Sequence, residues 1–123
     1  MTKTQIELEE VRDRLTICSG YEWEIYPKNN RYIVSEYGEI YTTIGKGRIL
    51  KPSVMKSGYI RYNLENGHEY IHRIVSFTFW GDQTEDGLEV DHIDRNKSNN
   101  HYTNLRWVTR KENCNNRGRR SKK

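Results

Sequence analysis

Cysteine, long apolar runs and internal repeats are all scarce or absent in this chain of 123 residues. Cys18 and Cys114 are the only cysteines, far apart and in no CxxC pair. They supply neither a disulfide framework nor a structural zinc knuckle, and they fit a reducing, cytoplasmic setting. No stretch approaches the ~18 consecutive apolar residues that a membrane helix needs. The opening "MTKTQIELEEVRDRL" is acidic and lacks the apolar core of a secretion signal. No RNP-like aromatic motif is present. Hydrophobic residues make up only 33% of the chain and charged residues 31%, so the core must be modest. Nine Tyr, three Trp and two Phe offset this, because each aromatic ring buries a large area. The length allows one ordinary domain or two very small modules.

Charge is abundant but unevenly placed. Residues 1–25 carry three basic and six acidic side chains, and residues 26–80 carry eight and four. Residues 81–90 hold four acids and no base, whereas residues 91–123 hold ten bases and three acids. Five of those ten bases lie in the tail "RGRRSKK". A basic end of this kind suits a polyanion such as DNA or RNA, or serves only as a solvated tail.

Thr4 and Glu7 have capping-box spacing and open a helix over about Gln5–Ser19. Leu8, Val11, Leu15 and Cys18 share one face, and Gly20 is a natural C-cap. From Trp23 to Leu64 the texture changes to short strands. "RYIVSEYGEIYT" reads as two strands about a turn at Tyr37-Gly38. "GKGRILKPSV" adds a basic glycine loop and a short strand, broken at Pro52. Ile60, Tyr62 and Leu64 alternate with Tyr59, Arg61 and Asn63, and Asn66-Gly67 is a preferred two-residue hairpin loop. Ile71, Ile74, Val75 and Phe79 recur at helical spacing before Gly81. An acidic loop, "DQTEDG", then connects to the last third, which reads as strand, loop, strand, helix. Thr109 and Glu112 form the cap of that final helix and place Asn113 near its first turn.

The segment "VDHIDRNKSNNHYTNLRWVTRKENCNNR" carries the chemistry. Cutting a phosphodiester needs a deprotonated water, neutralised phosphoryl charge and a stabilised leaving oxygen. One hard divalent cation supplies the last two from oxygen ligands. A neutral histidine supplies the first. Asp91 offers an anionic ligand and Asn113 a neutral oxygen. His92 is the candidate base, and the Asn104 carbonyl is a candidate to polarise it. In an extended strand Asp91 and His92 leave opposite faces, so a bend is required for both to reach one phosphate. His101 is expected to be exposed or to touch phosphate, and Asp94 to stabilise the loop. Asn96, Asn99 and Asn100 suit turns. Lys46, Arg48, Lys51, Lys56 and Arg61 form either a basic sheet face that reaches the DNA backbone or a merely solvated one.

"VDHID", "NNHYTNLRWVT" and "KENCNNR" resemble the HNH, or ββα-metal, nuclease motif of phage homing endonucleases. The spacing is twelve residues from His92 to Asn104 and nine from Asn104 to Asn113. "YIVSEYGEIYT", "GYIRYNL" and "IHRIVSFTFW" are similar to the nuclease-associated modular segment that precedes such fingers, so the resemblance covers about residues 21–117. Together with the N-terminal helix (1–20) and the basic tail (118–123), which lie outside it, the resemblance implies an α+β chain with a β-rich DNA-binding module with a helix (21–81) and a ββα-metal finger (82–117). It implies Asp91 and Asn113 as ligands of one divalent cation, Mg²⁺ by default with Mn²⁺ as a substitute, and no structural zinc. His92 would be the base, with Asn104 orienting it and bracing the loop. DNA contacts would come from His72, Arg73, Arg48, Lys51, Arg61, Arg106, Arg110 and Arg117, with a buried role as the alternative for His72.

The resemblance further implies a phage-encoded enzyme that hydrolyses double-stranded DNA in a host cell. With one cutting centre, a monomer nicks, and a double-strand break requires a dimer or two events. Members of that family often continue into helical DNA-binding segments, so relaxed specificity is expected of a chain ending at Lys123. The rival expectations are a DNA-binding accessory protein without turnover and a protein that acts on RNA.

Overall fold

The computed structural model describes residues 4–65 and 67–116, with backbone only at 115 and 116. The α+β architecture expected from the sequence is observed. Its elements are α1 (Gln5–Ser19), β1 (Trp23–Ile25), β2 (Tyr32–Ser35), β3 (Ile40–Thr42), β4 (Arg48–Ile49), β5 (Ser53–Val54), β6 (Ile60–Leu64), β7 (Gly67–Tyr70), α2 (Ile71–Phe79), β8 (Glu89–His92), β9 (Leu105–Val108) and α3 (Arg110–Asn116). Every strand pair is antiparallel: β1-β2-β3-β4, then β5-β6-β7, then the β8-β9 hairpin.

Strand periodicity places the first sheet between two helices. On β2, Tyr32 and Val34 face the α2 side with Ile40, while Ile33 faces Val11 of α1 and Trp23. Thr4 and Glu7 close the α1 capping box, and Gly20 ends the helix in the left-handed region at φ 84°. Cys18 departs from the expected apolar face and is exposed. The packing of α1 is directed at β1, and its last turn is held instead by Trp23 Nε1 donating to Ser19 Oγ at 2.9 Å.

The hairpin after β6 turns one residue earlier than Asn66-Gly67 predicts. Leu64 pairs with Gly67, so Gly67 belongs to β7 rather than to the loop, and Asn66 lies outside the described residues. Glu65 is tied down from outside the hairpin. Its N–H donates to Tyr32 Oη, and its carboxylate accepts from Asn29 and Arg31.

Helix α2 is the hub. It touches strands of all three sheets, and Ile71, Ile74, Val75 and Phe77 are buried beneath them. One apolar cluster runs from Tyr26, Tyr32, Val34 and Ile40 through these residues to Val90 and Leu105 of the C-terminal hairpin. Burying one such aliphatic side chain stabilises the fold by about 1.5–3 kcal/mol. The hairpin is therefore fixed on α2 by the same core that holds the sheets. Trp107 adds a stacked contact with Phe77 at 5.9 Å between ring centroids. Gly38, at φ 94°, allows the β2-β3 turn to sit on α2, since a Cβ there would meet Ile71 Cδ1 at 2.7 Å.

Candidate active site

The β8-β9 pairing sets Asp91 opposite Arg106 and His92 opposite Leu105. Alternation along β8 sends Val90 and His92 towards α2, and Glu89 and Asp91 towards α3. The chain turns immediately after His92, where the Arg95 N–H donates to the His92 carbonyl at 2.9 Å. At this strand end Asp91, His92 and Asn113 line one cleft of about 460 Å³ together with Tyr59, Val90, Arg95 and Lys97.

The capping box at Thr109 and Glu112 starts α3 as expected, with reciprocal bonds of 2.8 and 3.1 Å. It brings buried Asn113 over β8, where its Nδ2 donates to Glu89 Oε1 at 2.7 Å. A carboxylate only accepts hydrogen bonds, so Glu89 fixes which end of the Asn113 amide faces it. The other end, Oδ1, is the atom left to serve as a ligand. Asp91 is buried, and its Oδ2 accepts from Arg106 Nε at 3.1 Å and Nη2 at 3.0 Å. The carboxylate already draws a cation to itself. One buried carboxylate and one oriented amide oxygen fit a hard divalent ion, whose remaining positions would have to come from outside this pair. Among the described residues there is no group of three or more His, Cys, Asp or Glu side chains able to hold a metal.

His92 is buried, and its Nε2 meets Asn100 Oδ1 at 2.7 Å. Asn100 Nδ2 in turn donates to the Lys97 carbonyl at 3.2 Å, which sets the amide's orientation. Because Asn100 presents an acceptor, Nε2 carries the proton and the basic nitrogen of the neutral ring is Nδ1. This corrects one expectation: the carbonyl that polarises His92 belongs to Asn100, not Asn104. Asn104 ends a short helical turn just before β9, and its side chain turns into the loop. There it accepts from the Asp94 N–H at 3.1 Å and donates to Asp94 Oδ1 at 2.9 Å and the Asn99 carbonyl at 2.8 Å. Asp94 also accepts from Asn99 Nδ2 and the Asn96 N–H, and these bonds hold its carboxyl below the usual range. The loop brace expected of Asp94 and Asn104 is thus present.

His101 is half-buried rather than exposed. Its Nε2 meets Glu36 Oε1 at 2.8 Å, and its ring packs on Tyr37 and Tyr102. It ties the loop to the first sheet. His72 lies behind the site, its ring centroid 5.0 Å from those of both His92 and Tyr59. It is buried, so it does not stand on the surface as a DNA contact, and its Nδ1 has no hydrogen-bond partner among the described residues.

Burial, with the charges of His92 and Arg73, pushes the His72 pKa from 6.5 down to about 3. The unfolded chain therefore takes a proton that the native chain refuses, and stability falls as pH drops below about 6.5 towards 3. His72→Phe should flatten that fall, which amounts to at most about 1.4 kcal/mol per pH unit. Chemical denaturation at pH 6.5, 5.5 and 4.5 measures it; equal slopes for variant and wild type would refute the assignment.

The other expected DNA contacts are dispersed. Arg48 and Lys51 are exposed near the edge strand β4, and Arg61 is half-buried on β6. Arg73 pairs with Glu69 at 2.9 Å and lies over Phe77. Arg106 is engaged with Asp91, and Arg110 is largely exposed, 4.0 Å from Glu89. Arg117 lies outside the described residues. The structure adds Glu89, Arg95, Lys97 and Asn100, which the sequence reading did not place in the site. Their alternation with Asp91 and their place in the "DRNKSNN" loop were the available signals.

Residues 69–114, which hold Asp91, His92, Asn100, Asn104 and Asn113, match the family described as HNH endonuclease, and residues 18–65 match the NUMOD4 motif. The chain carries an HNH endonuclease domain preceded by a NUMOD4 motif. The HNH domain belongs to a nuclease family whose members generally use a divalent metal. DNA endonuclease I-HmuI of Bacillus phage SP01 is 44% identical over 100 residues, covering 77% of this chain and 56% of that protein. H-N-H endonuclease F-TflII of Escherichia phage T5 is 30% identical over 95 residues, 73% of this chain and 49% of that protein. A solved structure on DNA binding and cleavage by the HNH homing endonuclease I-HmuI superposes with a TM-score of 0.67 at 43% identity. That superposition covers 78% of this chain and 57% of the solved one. The chain spans about half the length of these relatives.

Proposed function

We propose that this chain is a metal-dependent endonuclease that hydrolyses phosphodiester bonds of double-stranded DNA and, acting as a monomer, nicks one strand. The observation that carries the reading is the bond between His92 Nε2 and Asn100 Oδ1. It leaves Nδ1 as the basic nitrogen of a histidine that shares a cleft with Asp91 and Asn113. In this reading Asp91 and Asn113 hold one divalent cation, and their all-oxygen donor set favours Mg²⁺, with Mn²⁺ as a substitute. When bound, that ion neutralises phosphoryl charge and stabilises the leaving oxygen. His92 takes the proton of the attacking water at Nδ1. Asn100 keeps the Nε2 proton in place and bonds more strongly to the ring as it becomes cationic. Glu89 holds the Asn113 amide in the ligating sense. The basic positions Arg48, Lys51, Arg61 and Arg110 contribute attraction for the DNA backbone. The relatives' names as DNA endonucleases support the substrate class.

The test is supercoiled plasmid incubated with the purified chain and Mg²⁺, with and without EDTA. The expected outcome is open-circle DNA as the first product, absent under EDTA. Linear DNA as the first species refutes monomeric nicking. Tight DNA binding without cutting under any divalent ion selects the accessory-protein reading, and preference for an RNA duplex refutes the substrate class.

A further inference from the structure

Arg95 is the only residue other than glycine with positive φ, 64°, among the described residues. A side chain in the left-handed region crowds its own backbone, and glycine or asparagine fills such positions at less cost. Asp94 and Asn96, either side of it, are better suited to that conformation, yet the turn places the arginine there. Non-glycine strain of this kind persists where something outside local folding requires it.

The surroundings of Arg95 indicate what that is. It lines the cleft with Asp91, His92 and Asn113. The neighbouring cations are engaged: Arg106 with Asp91, and Lys97 with the Ser57 carbonyl at 2.8 Å and over the Tyr59 ring at 4.5 Å. The Arg95 side chain makes no hydrogen bond, ion pair or ring contact with another described residue. Its backbone is anchored, because its N–H donates to the His92 carbonyl. A guanidinium whose base is fixed on the backbone of His92, and whose donor fork is unused, matches the geometry of a phosphate diester. We propose that Arg95 is a phosphate clamp, gripping the DNA backbone at the cutting centre and held there at the expense of backbone strain. The proposal rests on the endonuclease reading above.

Strain and function make opposite demands at this position, and that gives the test. Arg95→Gly removes the strain and the fork together; Arg95→Lys keeps the charge and the strain but loses the fork. Three quantities are measured on the full chain: melting temperature, single-turnover cleavage of supercoiled plasmid with Mg²⁺, and affinity for a fluorescent duplex across a salt series without metal. Arg95→Gly should melt no lower than wild type and cleave about 10–100-fold more slowly, the loss of one charge-assisted contact to the substrate. Its slope of log affinity against log salt should fall by about one phosphate contact. Arg95→Lys should recover the salt slope but only part of the rate. A glycine variant that cuts and binds like wild type overturns the clamp. A melting temperature lower by more than about 4 °C overturns the strain argument, because the arginine would then be a structural part of the turn. If wild type binds duplex but never cuts, the endonuclease reading fails, while the salt slope still decides whether Arg95 touches phosphate.

Discussion

Asp91→Asn should reduce metal-dependent cleavage by about 10³-fold or more, a loss of roughly 4 kcal/mol of transition-state stabilisation. The substitution keeps the shape and removes the charge. Asp91 is buried and its Oδ2 takes two donors from Arg106, so an amide oxygen there still accepts a hydrogen bond and the hairpin keeps its pairing. With the carboxylate gone, the donor set for a cation becomes two neutral amides. Hard divalent ions bind such sets poorly, since ligand charge is the main lever on their affinity. Arg106 is partly exposed, so its guanidinium can turn to water when the ion pair is lost and the fold should survive. Two measurements separate the effects: calorimetric titration with Mn²⁺, where affinity should drop at least ~10-fold, and thermal melting, where little should change. Cleavage at the wild-type rate by Asp91→Asn would remove Asp91 from the metal site, and a collapse of the melting transition would make its role structural.

The elements were legible in the sequence where local chemistry decides them. Thr4 with Glu7 and Thr109 with Glu112 fixed both capped helices, and the alternation in "YIRYNL" fixed β6. Legibility failed where a partner distant in the chain decides the outcome. Gly67 joins β7 rather than the loop, and beside it Glu65 is held by Tyr32, Asn29 and Arg31, all distant in the chain. Cys18 left the apolar face because α1 packs on a short strand rather than along its whole length. Asp91, His92 and Asn113 were legible as chemistry-bearing types at a telling spacing, and the fold brings them to one cleft. Asn100 and Asn104 could not be told apart by spacing. Both are asparagines in one loop, and only the direction of β9 decides that Asn104 braces Asp94 while Asn100 reaches His92. Glu89 looked like one more acid in an acidic stretch until the return of α3 set Asn113 against it.

That distinction between the two asparagines yields the second large effect. His92→Ala should lower the single-turnover rate by about 10²–10⁴-fold, the range for losing a positioned base, with DNA affinity nearly unchanged because the ring, though it lines the cleft, is almost wholly buried and offers little contact surface. Asn100→Ala should cost about 10–100-fold, comparable to removing a group that orients a reacting side chain. Asn100 acts on the reaction through the His92 Nε2 proton, so the two losses should not add. In the double variant the rate should equal that of His92→Ala alone. Asn104→Ala gives the contrast: it removes three bonds inside the loop, to Asp94 and Asn99, so its main effect should be a lower melting temperature. If Asn104→Ala is non-additive with His92→Ala while Asn100→Ala multiplies its loss, then Asn104 governs the histidine and Asn100 only packs the loop. The pair of cycles is decisive because the two arrangements predict opposite couplings on the same six proteins, whatever the absolute rate of the wild type.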